Sequence, residues 1–360
     1  MTQPGHASFR VGLIGYGLAG AYFHAPFITT TPGLELSAIV TGNPDRQQLA
    51  RRDYPLARIC TATDELWSMA DSLDLVVVAA PNAAHVPLAR AAVRAKLPVI
   101  VDKPLAASAA DARKLVDEAR RDGVLLTVFQ NRRFDGDFAT VHRLLGEDQI
   151  GRPFRFESRF ERWRPEPKPG WRESPAPEDA GGLLFDLGSH LIDQALLLFG
   201  PATHVYAEVD CRRPGVEVGD DVFVALTHDL GVRSHLWMSV VAGQLGPRFR
   251  LLGSAGTYVK HGLDVQEAAL KAGHRPNEKD WGLEPESAWG QIEAGGSEPA
   301  IVVPTLPGDY GQFYKQMVAA LRGERLPPVS PEDSINVLQV IEAARRSAAE
   351  KHVVQLSKKA

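Results

Sequence analysis

The stretch RVGLIGYGLAGAYFHAPF, residues 10–27, decides the fold of the first third of this chain. A short apolar run leads into Gly15, Gly17 and Gly20, and a segment of helix-forming composition follows. Between a strand and a helix, the GxGxxG spacing permits a tight turn, a close approach of backbone to pyrophosphate, and close packing of helix on strand. The N–H groups that begin the helix complete such a site. We therefore predict a dinucleotide site at Gly15, Tyr16, Gly17, Leu18, Ala19 and Gly20.

The residues around this stretch alternate apolar runs with helical segments. The near-continuous apolar character of the runs is typical of parallel strands that are buried on both faces. Ser108 is a suitable N-cap for the last helix, and Gly123 is a suitable stop. The pattern predicts a Rossmann domain over residues 1–129, a doubly wound parallel sheet. Its predicted strands are 9–15, 34–40, 73–80, 97–102 and 124–129, and its predicted helices are near 18–31, 45–52, 84–96 and 108–122.

The pattern changes after Phe129, where longer alternating strands appear. Residues 228–233 are predicted to connect a hairpin, 273–308 to form a long irregular insertion, and Ser330 and Pro331 to begin the last helix. We predict a C-terminal α+β domain over 130–360, with a large open, mostly antiparallel sheet and a final helix that can pack back on the first domain. An open sheet face needs cover, which favours a homo-oligomer. The predicted helices are 136–147 and 186–199, and the predicted strands are 152–163, 203–211, 221–229, 232–241, 248–253 and 256–260.

Composition excludes several classes of function. The 360 residues carry a formal net charge of −4 with both signs interspersed, which argues against a nucleic-acid or anionic-membrane partner. No apolar run of about 18 residues is present, and the first ten residues lack the apolar core of a secretory signal. The two cysteines have no CxxC spacing, which fits a reducing compartment. We expect a cytoplasmic protein.

The end of the second strand indicates which dinucleotide is bound. NAD enzymes usually have Asp or Glu there, to bind the ribose 2′-hydroxyl. A carboxylate about 4 Å from a 2′-phosphate would repel it by roughly 4 kcal/mol per charge pair at an effective dielectric constant of about 20. This chain instead has Thr41, Gly42 and Asn43, with Arg46 in the following helix. Thr41, Asn43 and Arg46 are therefore predicted to favour NADP. The alternative cofactor is NAD, in which case Arg46 would be a helix residue that faces solvent and contacts no phosphate.

Three further stretches carry chemically versatile side chains. VIVDKPLA places Asp102 and Lys103 at the end of a predicted parallel strand, the edge where open α/β sheets bind ligands. GGLLFDLGSHLIDQ places Asp186, His190 and Asp193 at i, i+4 and i+7, on one face of a helix. Such acid–histidine spacing also occurs in simple surface pairs. A metal site is disfavoured, because no second histidine or cysteine cluster has ligand spacing. The third stretch follows the last strand of the first domain and contains Asn131, Arg132 and Arg133. The alternative for the two arginines is a purely structural role as ion-pair partners of neighbouring acids.

Together these motifs resemble the Gfo/Idh/MocA oxidoreductases. The resemblance rests on GxGxxG after the first strand, PNAAH at 81–85, DKP at 102–104 and GGLLFDLGSHLID at 181–193, and it covers nearly the whole chain. GYGLAGAYFHAPF, NRRFDGDF, WRE at 171–173 and DLGSHLIDQALLLFG are most similar to the NADP-dependent scyllo-inositol dehydrogenase branch. The resemblance implies a secondary-alcohol dehydrogenase or reductase whose substrate is a cyclic polyol or sugar.

The resemblance also implies roles for individual residues. Lys103, Asp186 and His190 occupy the catalytic positions, and Asp102 stands where the family usually has Glu, one methylene longer. The implied cofactor contacts are Pro81, Asn82, His85, Asp102, Lys103 and Asn131, with Trp171 and Arg172 closing over the cofactor. The resemblance further implies that the open sheet forms homodimers or homotetramers. Independently of the resemblance, we predict substrate contacts at Lys103, Arg133, Asp186 and His190. Trp163, Arg164, Tyr310 and the 273–308 insertion are further candidates.

The proton of the alcohol needs a base. A histidine has a reference pKa near 6.5, whereas lowering a lysine from about 10.4 to about 7 costs on the order of 4–5 kcal/mol. We therefore hypothesise that His190 is the base, that Asp186 fixes its tautomer, and that the Lys103 ammonium stabilises the alkoxide. Two alternatives stay open: a non-catalytic dinucleotide sensor that regulates a partner, and an NAD-dependent glycosidase of the same fold.

Overall fold

The structure is a computed structural model that describes residues 8–168, 170–294 and 299–356. It contains two sheets, one for each half of the chain. Among the described residues, no single helix has the length and apolar character that a membrane span needs. One bent pair, 177–186 and 188–199, reaches that length and composition only when its two helices are taken together.

The first sheet has six parallel strands in the order β3-β2-β1-β4-β5-β6. All four residues of β4 are buried, and alternate ones enter opposite cores: Leu75 and Val77 on one face, Val76 and Val78 on the other. The prediction of a doubly wound sheet is confirmed, but β3 lies outside the predicted strands. The strands are β1 (Phe9–Ile14), β2 (Leu34–Val40), β3 (Arg58–Cys60), β4 (Leu75–Val78), β5 (Val99–Asp102) and β6 (Leu126–Phe129).

Two helices of this half, α2 and α5, begin at a capping side chain. Ser108 caps α5 by accepting a hydrogen bond from the Asp111 N–H, and Asn43 caps α2 by accepting one from the Arg46 N–H. The segment after the glycine turn is not a uniform α-helix, because Ala19–His24 forms a π-helix before α1 begins. The helices are α1 (Ala25–Thr30), α2 (Pro44–Asp53), α3 (Thr63–Trp67), α4 (His85–Arg94) and α5 (Ala109–Arg121).

The second sheet has nine strands in the order β14-β13-β12-β11-β7-β10-β9-β8-β15. Strands β7 and β10 pair in parallel, and their described neighbours pair antiparallel, so the sheet is mixed. The predicted irregular insertion is partly wrong, since β13 and β14 extend the sheet there. The strands are β7 (Pro153–Glu161), β8 (Ala202–Asp210), β9 (Asp221–His228), β10 (Arg233–Ser239), β11 (Phe249–Gly253), β12 (Thr257–Lys260), β13 (Gly290–Glu293), β14 (Ile301–Val303) and β15 (Val354–Gln355).

The helix predicted over 186–199 is broken. It forms α7 and α8 with Leu187 between them, and the segment 177–186, which ends with α7, is bent by 62° relative to α8, so Asp186 and His190 do not share one helix face. The longest helix, α11, begins at the N-cap Ser330 and packs against α5 and β6 on one side and α8 and β8 on the other. The helices of this half are α6 (Gly136–Gly146), α7 (Leu183–Asp186), α8 (Gly188–Phe199), α9 (Gln266–Lys271), α10 (Gly311–Leu321) and α11 (Pro331–Glu350).

Candidate active site

A cleft of about 520 Å³ opens at the carboxyl ends of β1, β2, β4 and β5. This is the edge at which parallel α/β sheets bind ligands. Nearly all the predicted cofactor residues meet there, and the second half of the chain adds three side chains. The lining residues from the prediction are Gly15, Tyr16, Gly17, Leu18, Ala19, Thr41, Asn43, Arg46, Pro81, Asn82, His85, Asp102, Lys103, Trp171, Arg172 and Asp186.

The glycine turn has the geometry that a pyrophosphate requires. Gly15 adopts φ +100°, and a Cβ on it would collide with the Ala79 carbonyl. A Cβ on Gly20 would collide with the Gly15 carbonyl oxygen, so the start of the helix packs directly on the turn. At Gly17 the backbone is open on the cleft side, with Arg46 Nη1 the nearest group, 3.5 Å from an ideal Cβ position. The three glycines therefore fit a bound dinucleotide.

The loop after β2 forms the ribose end of the cleft. Thr41 is buried, and Gln47 Nε2 donates to its carbonyl oxygen at 2.8 Å. The Asn43 side chain is used as a helix cap, since its Oδ1 accepts from the Arg46 N–H at 3.0 Å. This cap orients the first turn of α2 so that the exposed Arg46 guanidinium lies beside Gly17. The loop after β2 thus contributes the Arg46 cation to the cleft, and no carboxylate of this loop lines the described part of the cleft.

The opposite end of the cleft is built around His85 and Asn82. The His85 ring is buried between the carbonyl oxygens of Pro104 (Nδ1, 2.7 Å) and Ala80 (Nε2, 2.9 Å), and its burial lowers its pKa. Its contacts join the loops that follow β4 and β5. Asn82 Nδ2 donates to the Asp179 carbonyl at 2.9 Å and so ties the loop after β4 to the second half of the chain.

Lys103 and Asp186 form the charged centre of the site. Lys103 Nζ donates to the Asp186 carbonyl oxygen at 2.5 Å and to its Oδ1 at 3.1 Å. Burial by itself raises the pKa of Asp186, but the Lys103 ammonium and the Arg172 guanidinium outweigh it and lower the pKa to about 2. Arg172 Nε lies 3.6 Å from the same Oδ1 and stacks on the Trp171 ring at 4.2 Å. Asp186 is therefore a fixed anion that orients Lys103 at the mouth of the cleft.

Asp102 is held from both sides. Its Oδ1 accepts the Lys103 N–H at 2.8 Å, and its Oδ2 lies 3.9 Å from Nε2 of the buried His24. His24 Nδ1 in turn lies 2.5 Å from the Tyr314 hydroxyl of α10. Sequence reasoning missed His24, although the π-helix that carries it begins immediately after the glycine turn.

His190 lies deeper than the cleft and is 6% exposed. Its Nδ1 is buried and has no hydrogen-bond partner within the described ranges. Burial and the positive charges of Lys103, Arg132 and Arg248 hold its pKa well below 6.5. The hypothesis that Asp186 fixes its tautomer is wrong for this structure, because the Asp186 carboxylate turns to Lys103 and Arg172 across the break at Leu187.

Two other predicted site residues lie elsewhere. Arg133 binds Asp193 through two bonds of 2.7 and 2.6 Å and Asp333 at 3.0 Å. It lines a separate cavity of about 890 Å³ between α8 and α11, away from the residues that line the dinucleotide cleft, and its role as a substrate contact stays a prediction. Asn131 is buried and does not line the described part of the dinucleotide cleft, so its role as a cofactor contact stays a prediction.

The further substrate candidates differ in their exposure. Tyr310 is fully buried, and its hydroxyl donates to Asp135 Oδ1 at 2.7 Å, which makes it a core residue. The Trp163 side chain is 62% exposed, and Arg164 is partly buried. Among the described residues, no group of three His, Cys, Asp or Glu side chains is arranged to hold a metal ion.

The cleft also has a wall that the sequence analysis missed. Thr61, Ala62 and Thr63 connect β3 to α3 and line the cleft beside the loop after β2. The available signal was the polar run TAT directly after the short apolar pair Ile59-Cys60. Two apolar residues are too few to indicate a strand by periodicity.

Comparisons with known proteins agree with this architecture. Residues 9–130 match the family model described as "Oxidoreductase family, NAD-binding Rossmann fold", and residues 142–356 match "Oxidoreductase family, C-terminal alpha/beta domain". The chain is 33% identical to scyllo-inositol 2-dehydrogenase (NADP(+)) IolW of Bacillus subtilis over 97% of this chain and 96% of that protein. It is 37% identical to the uncharacterized oxidoreductase YdgJ of Escherichia coli over 95% and 96% of the two chains.

A solved structure has the same fold. The structure of yvaA from Bacillus subtilis superposes with a TM-score of 0.93 at 32% identity, and the match covers 99% of this chain and 100% of that chain. The two family models match the two halves of the chain in order, and the dinucleotide cleft lies in the half that matches the Rossmann model. The chain belongs to the Gfo/Idh/MocA family of oxidoreductases and carries its NAD(P)-binding Rossmann domain.

Proposed function

We propose that this oxidoreductase is an NADP(H)-dependent dehydrogenase that interconverts a secondary alcohol of a cyclic polyol or sugar, of the inositol type, and the corresponding ketone. The observation that carries the proposal is the Lys103 ammonium, which Asp186 holds at 2.5 and 3.1 Å beside the dinucleotide cleft. A fixed cation at that position stabilises the negative charge that develops on the oxygen of a reacting alcohol. The inositol dehydrogenase among the relatives supports the substrate class.

The preference for NADP is supported by the loop after β2. No carboxylate from that loop lines the described cleft, and the Arg46 guanidinium lies at its rim beside Gly17. A guanidinium binds a phosphate through paired hydrogen bonds, which matches the 2′-phosphate of NADP. When bound, the nicotinamide accepts or donates the hydride, and the protein supplies orientation and proton handling.

The proton of the hydroxyl group goes to His190. Its lowered pKa keeps the imidazole neutral at neutral pH and therefore able to accept a proton. Part of that lowering comes from repulsion by the Lys103 ammonium. Negative charge on the substrate oxygen offsets this repulsion, so proton acceptance by His190 and charge stabilisation by Lys103 reinforce each other. In this proposal Asp186 orients Lys103 and does not fix the tautomer of His190.

We also propose that the enzyme is a cytoplasmic homodimer or homotetramer without a nucleic-acid or membrane partner. The sheet face away from the helices carries a cluster in which the Phe223 and Trp237 rings lie 5.1 Å apart and the Arg159 guanidinium stacks on Trp237 at 3.9 Å. A second copy of this chain is the proposed cover for that face. Sedimentation equilibrium tests this, and a monomer at micromolar concentration would contradict it.

The function is tested by following the absorbance of reduced nicotinamide. Purified protein is assayed with myo-inositol, scyllo-inositol, glucose and xylose, each with NADP and with NAD, beside a Lys103→Met control. We expect turnover of an inositol with NADP well ahead of NAD, and none in the control. Tight NADPH binding without turnover would favour the sensor. A glycoside is included in the panel, and cleavage of its glycosidic bond to reducing sugar without net accumulation of reduced nicotinamide would favour the glycosidase.

A further inference from the structure

Arg162 occupies the position directly after β7. Along this strand Phe156, Ser158 and Phe160 are buried, so alternate residues face the helix-covered side of the sheet. Arg162 continues this alternation, and its N–H donates to the Ser239 carbonyl at 2.9 Å, which keeps it in register with β10. The Arg162 side chain is therefore directed to the same side of the sheet as α8, the helix that carries His190.

Three guanidinium groups surround the Phe160 ring, and they differ in their partners. Those of Arg132, Arg162 and Arg248 lie 4.7, 5.1 and 5.9 Å from its centroid. Arg132 is paired with Asp135 at 3.2 Å and Glu267 at 2.6 Å. Arg248 donates to the side chains of Ser158 at 2.6 Å and Gln194 at 3.0 Å.

Arg162 has no such partners. Its side chain makes no hydrogen bond and no ion pair with any residue in 8–168, 170–294 or 299–356. It is nevertheless only partly exposed. A guanidinium has five N–H donors in a planar fork, and no nitrogen of Arg162 is among the fully buried, unpaired polar atoms of the described residues, so these donors remain open to solvent. Arg162 is thus a cation whose donors are available to a ligand.

This free cation belongs to the neighbourhood of the catalytic groups. Burial lowers the pKa of Arg162, and the Asp186 carboxylate acts in the opposite direction, as expected for neighbouring charges. Arg132 and Arg248, which share the Phe160 ring with Arg162, both depress the pKa of His190. Gln194, one turn after His190 on α8, donates to the Arg132 backbone carbonyl and accepts from the Arg248 guanidinium. Phe160 and its three guanidiniums therefore lie beside the reacting groups, and Arg162 is the member whose donors remain unused within the described chain.

We propose that Arg162 is a substrate-binding residue that donates paired hydrogen bonds to two adjacent oxygens of the substrate. Vicinal ring hydroxyls and a carboxylate both present such a pair of acceptors to the guanidinium fork. This inference rests on the proposed function and deepens it, because it requires a substrate with neighbouring oxygens beyond the alcohol that reacts. The proposal also gives two arginines different roles: Arg172 lines the cofactor cleft, whereas Arg162 binds the substrate.

The test compares the wild type with Arg162→Met and Arg162→Lys, and with Arg155→Met as a matched control. Arg155 lies on the same strand but on the opposite face. KM and kcat are measured for scyllo-inositol, glucose, glucuronate and cyclohexanol, and the Kd of NADPH by fluorescence titration. We expect Arg162→Met to raise KM about 10- to 100-fold for ligands with adjacent oxygens, with kcat changed less than about threefold and NADPH affinity unchanged. Lysine should restore part of the loss.

The comparison of substrates identifies the acceptor. A selective loss on glucuronate relative to glucose assigns Arg162 to a carboxylate. Similar losses on scyllo-inositol and glucose, with cyclohexanol unaffected, assign it to a diol. Kinetics of Arg162→Met that match those of Arg155→Met would overturn the inference while leaving the proposed function intact. If the wild type turns over nothing, calorimetric binding of the same compounds to the NADPH-loaded protein replaces KM. Absence of both turnover and binding in the wild type rejects the inference together with the proposed substrate class.

Discussion

The pair formed by Lys103 and Asp186 lets stability and catalysis be measured separately. Replacing Lys103 by Met removes the ammonium that donates to Asp186 at 2.5 and 3.1 Å and leaves a carboxylate that is 27% exposed beside Arg172. In the folded protein, the pKa of Asp186 falls from 3.8 to about 2. At about 1.36 kcal/mol per pKa unit, this net shift, with the cost of burial included, corresponds to about 2 kcal/mol of stabilisation of the folded state. Lys103→Met removes the largest of the favourable charges and should lower the free energy of unfolding by an amount of that order at pH 7.

The pH dependence of this loss has a definite sign. Because the folded-state pKa is depressed, the stabilisation is present above pH 3.8 and disappears as the pH falls through about 2. The difference between wild type and variant should shrink accordingly in acid. Turnover should fall further than stability suggests, by about two to three orders of magnitude, because the variant loses the cation opposite the developing alkoxide.

Urea unfolding and nicotinamide absorbance measure the two effects. The matched control is the double variant Lys103→Met/Asp186→Asn, which removes the unpaired carboxylate. It should regain stability relative to Lys103→Met and remain inactive. Wild-type turnover in Lys103→Met would refute the role of the ammonium, and a double variant no more stable than the single one would refute the pairing argument.

Three other predictions address the remaining site. His190→Ala should lower kcat by about two to four orders of magnitude with NADPH affinity nearly intact, and full turnover by this variant would exclude His190 as the base. The wild-type kcat/KM for alcohol oxidation should show no inflection near pH 6.5, because the pKa of His190 lies well below that value. Arg46→Ala should weaken NADPH binding about 10- to 100-fold and leave NADH unchanged, so equal losses by titration would contradict a 2′-phosphate contact. Asp193→Asn should lower the free energy of unfolding, measured in urea, by about 3–5 kcal/mol, because it leaves Arg133 buried with a weakened partner. KM should stay unchanged in this variant, and a raised KM would support a role for Arg133 in substrate binding.

Local signals predicted the parts of the fold that local physics decides. Apolar runs located β1, β2, β4, β5 and β6, and Ser108 and Ser330 fixed the starts of their helices, because strand burial and N-capping depend on a few consecutive residues. The glycine turn was predictable for the same reason. Strand β3 was not, because three residues at a sheet edge carry no periodicity.

Partners that are distant in sequence decided the rest. The spacing of Asp186, His190 and Asp193 fits one helix face, but Asp186 turns toward Lys103, 83 positions away, and Asp193 toward Arg133, 60 positions away. No local pattern records which acid an arginine meets in the folded chain. The same limit explains Arg162, whose lack of a partner is visible only once Arg132 and Arg248 are seen to have theirs.

The position of α11 has a consequence for how this enzyme can be divided. Its Glu342 accepts the Ala109 N–H at 2.8 Å in the first half of the chain, and its Ser347 accepts the Ala207 N–H at 3.0 Å in the second. A fragment that ends near residue 129 would retain the complete glycine turn but expose the apolar surface of α5 and β6. The dinucleotide-binding half is therefore not an interchangeable module. A chimaera that exchanges it between relatives must exchange α11 as well, or redesign the surface between them.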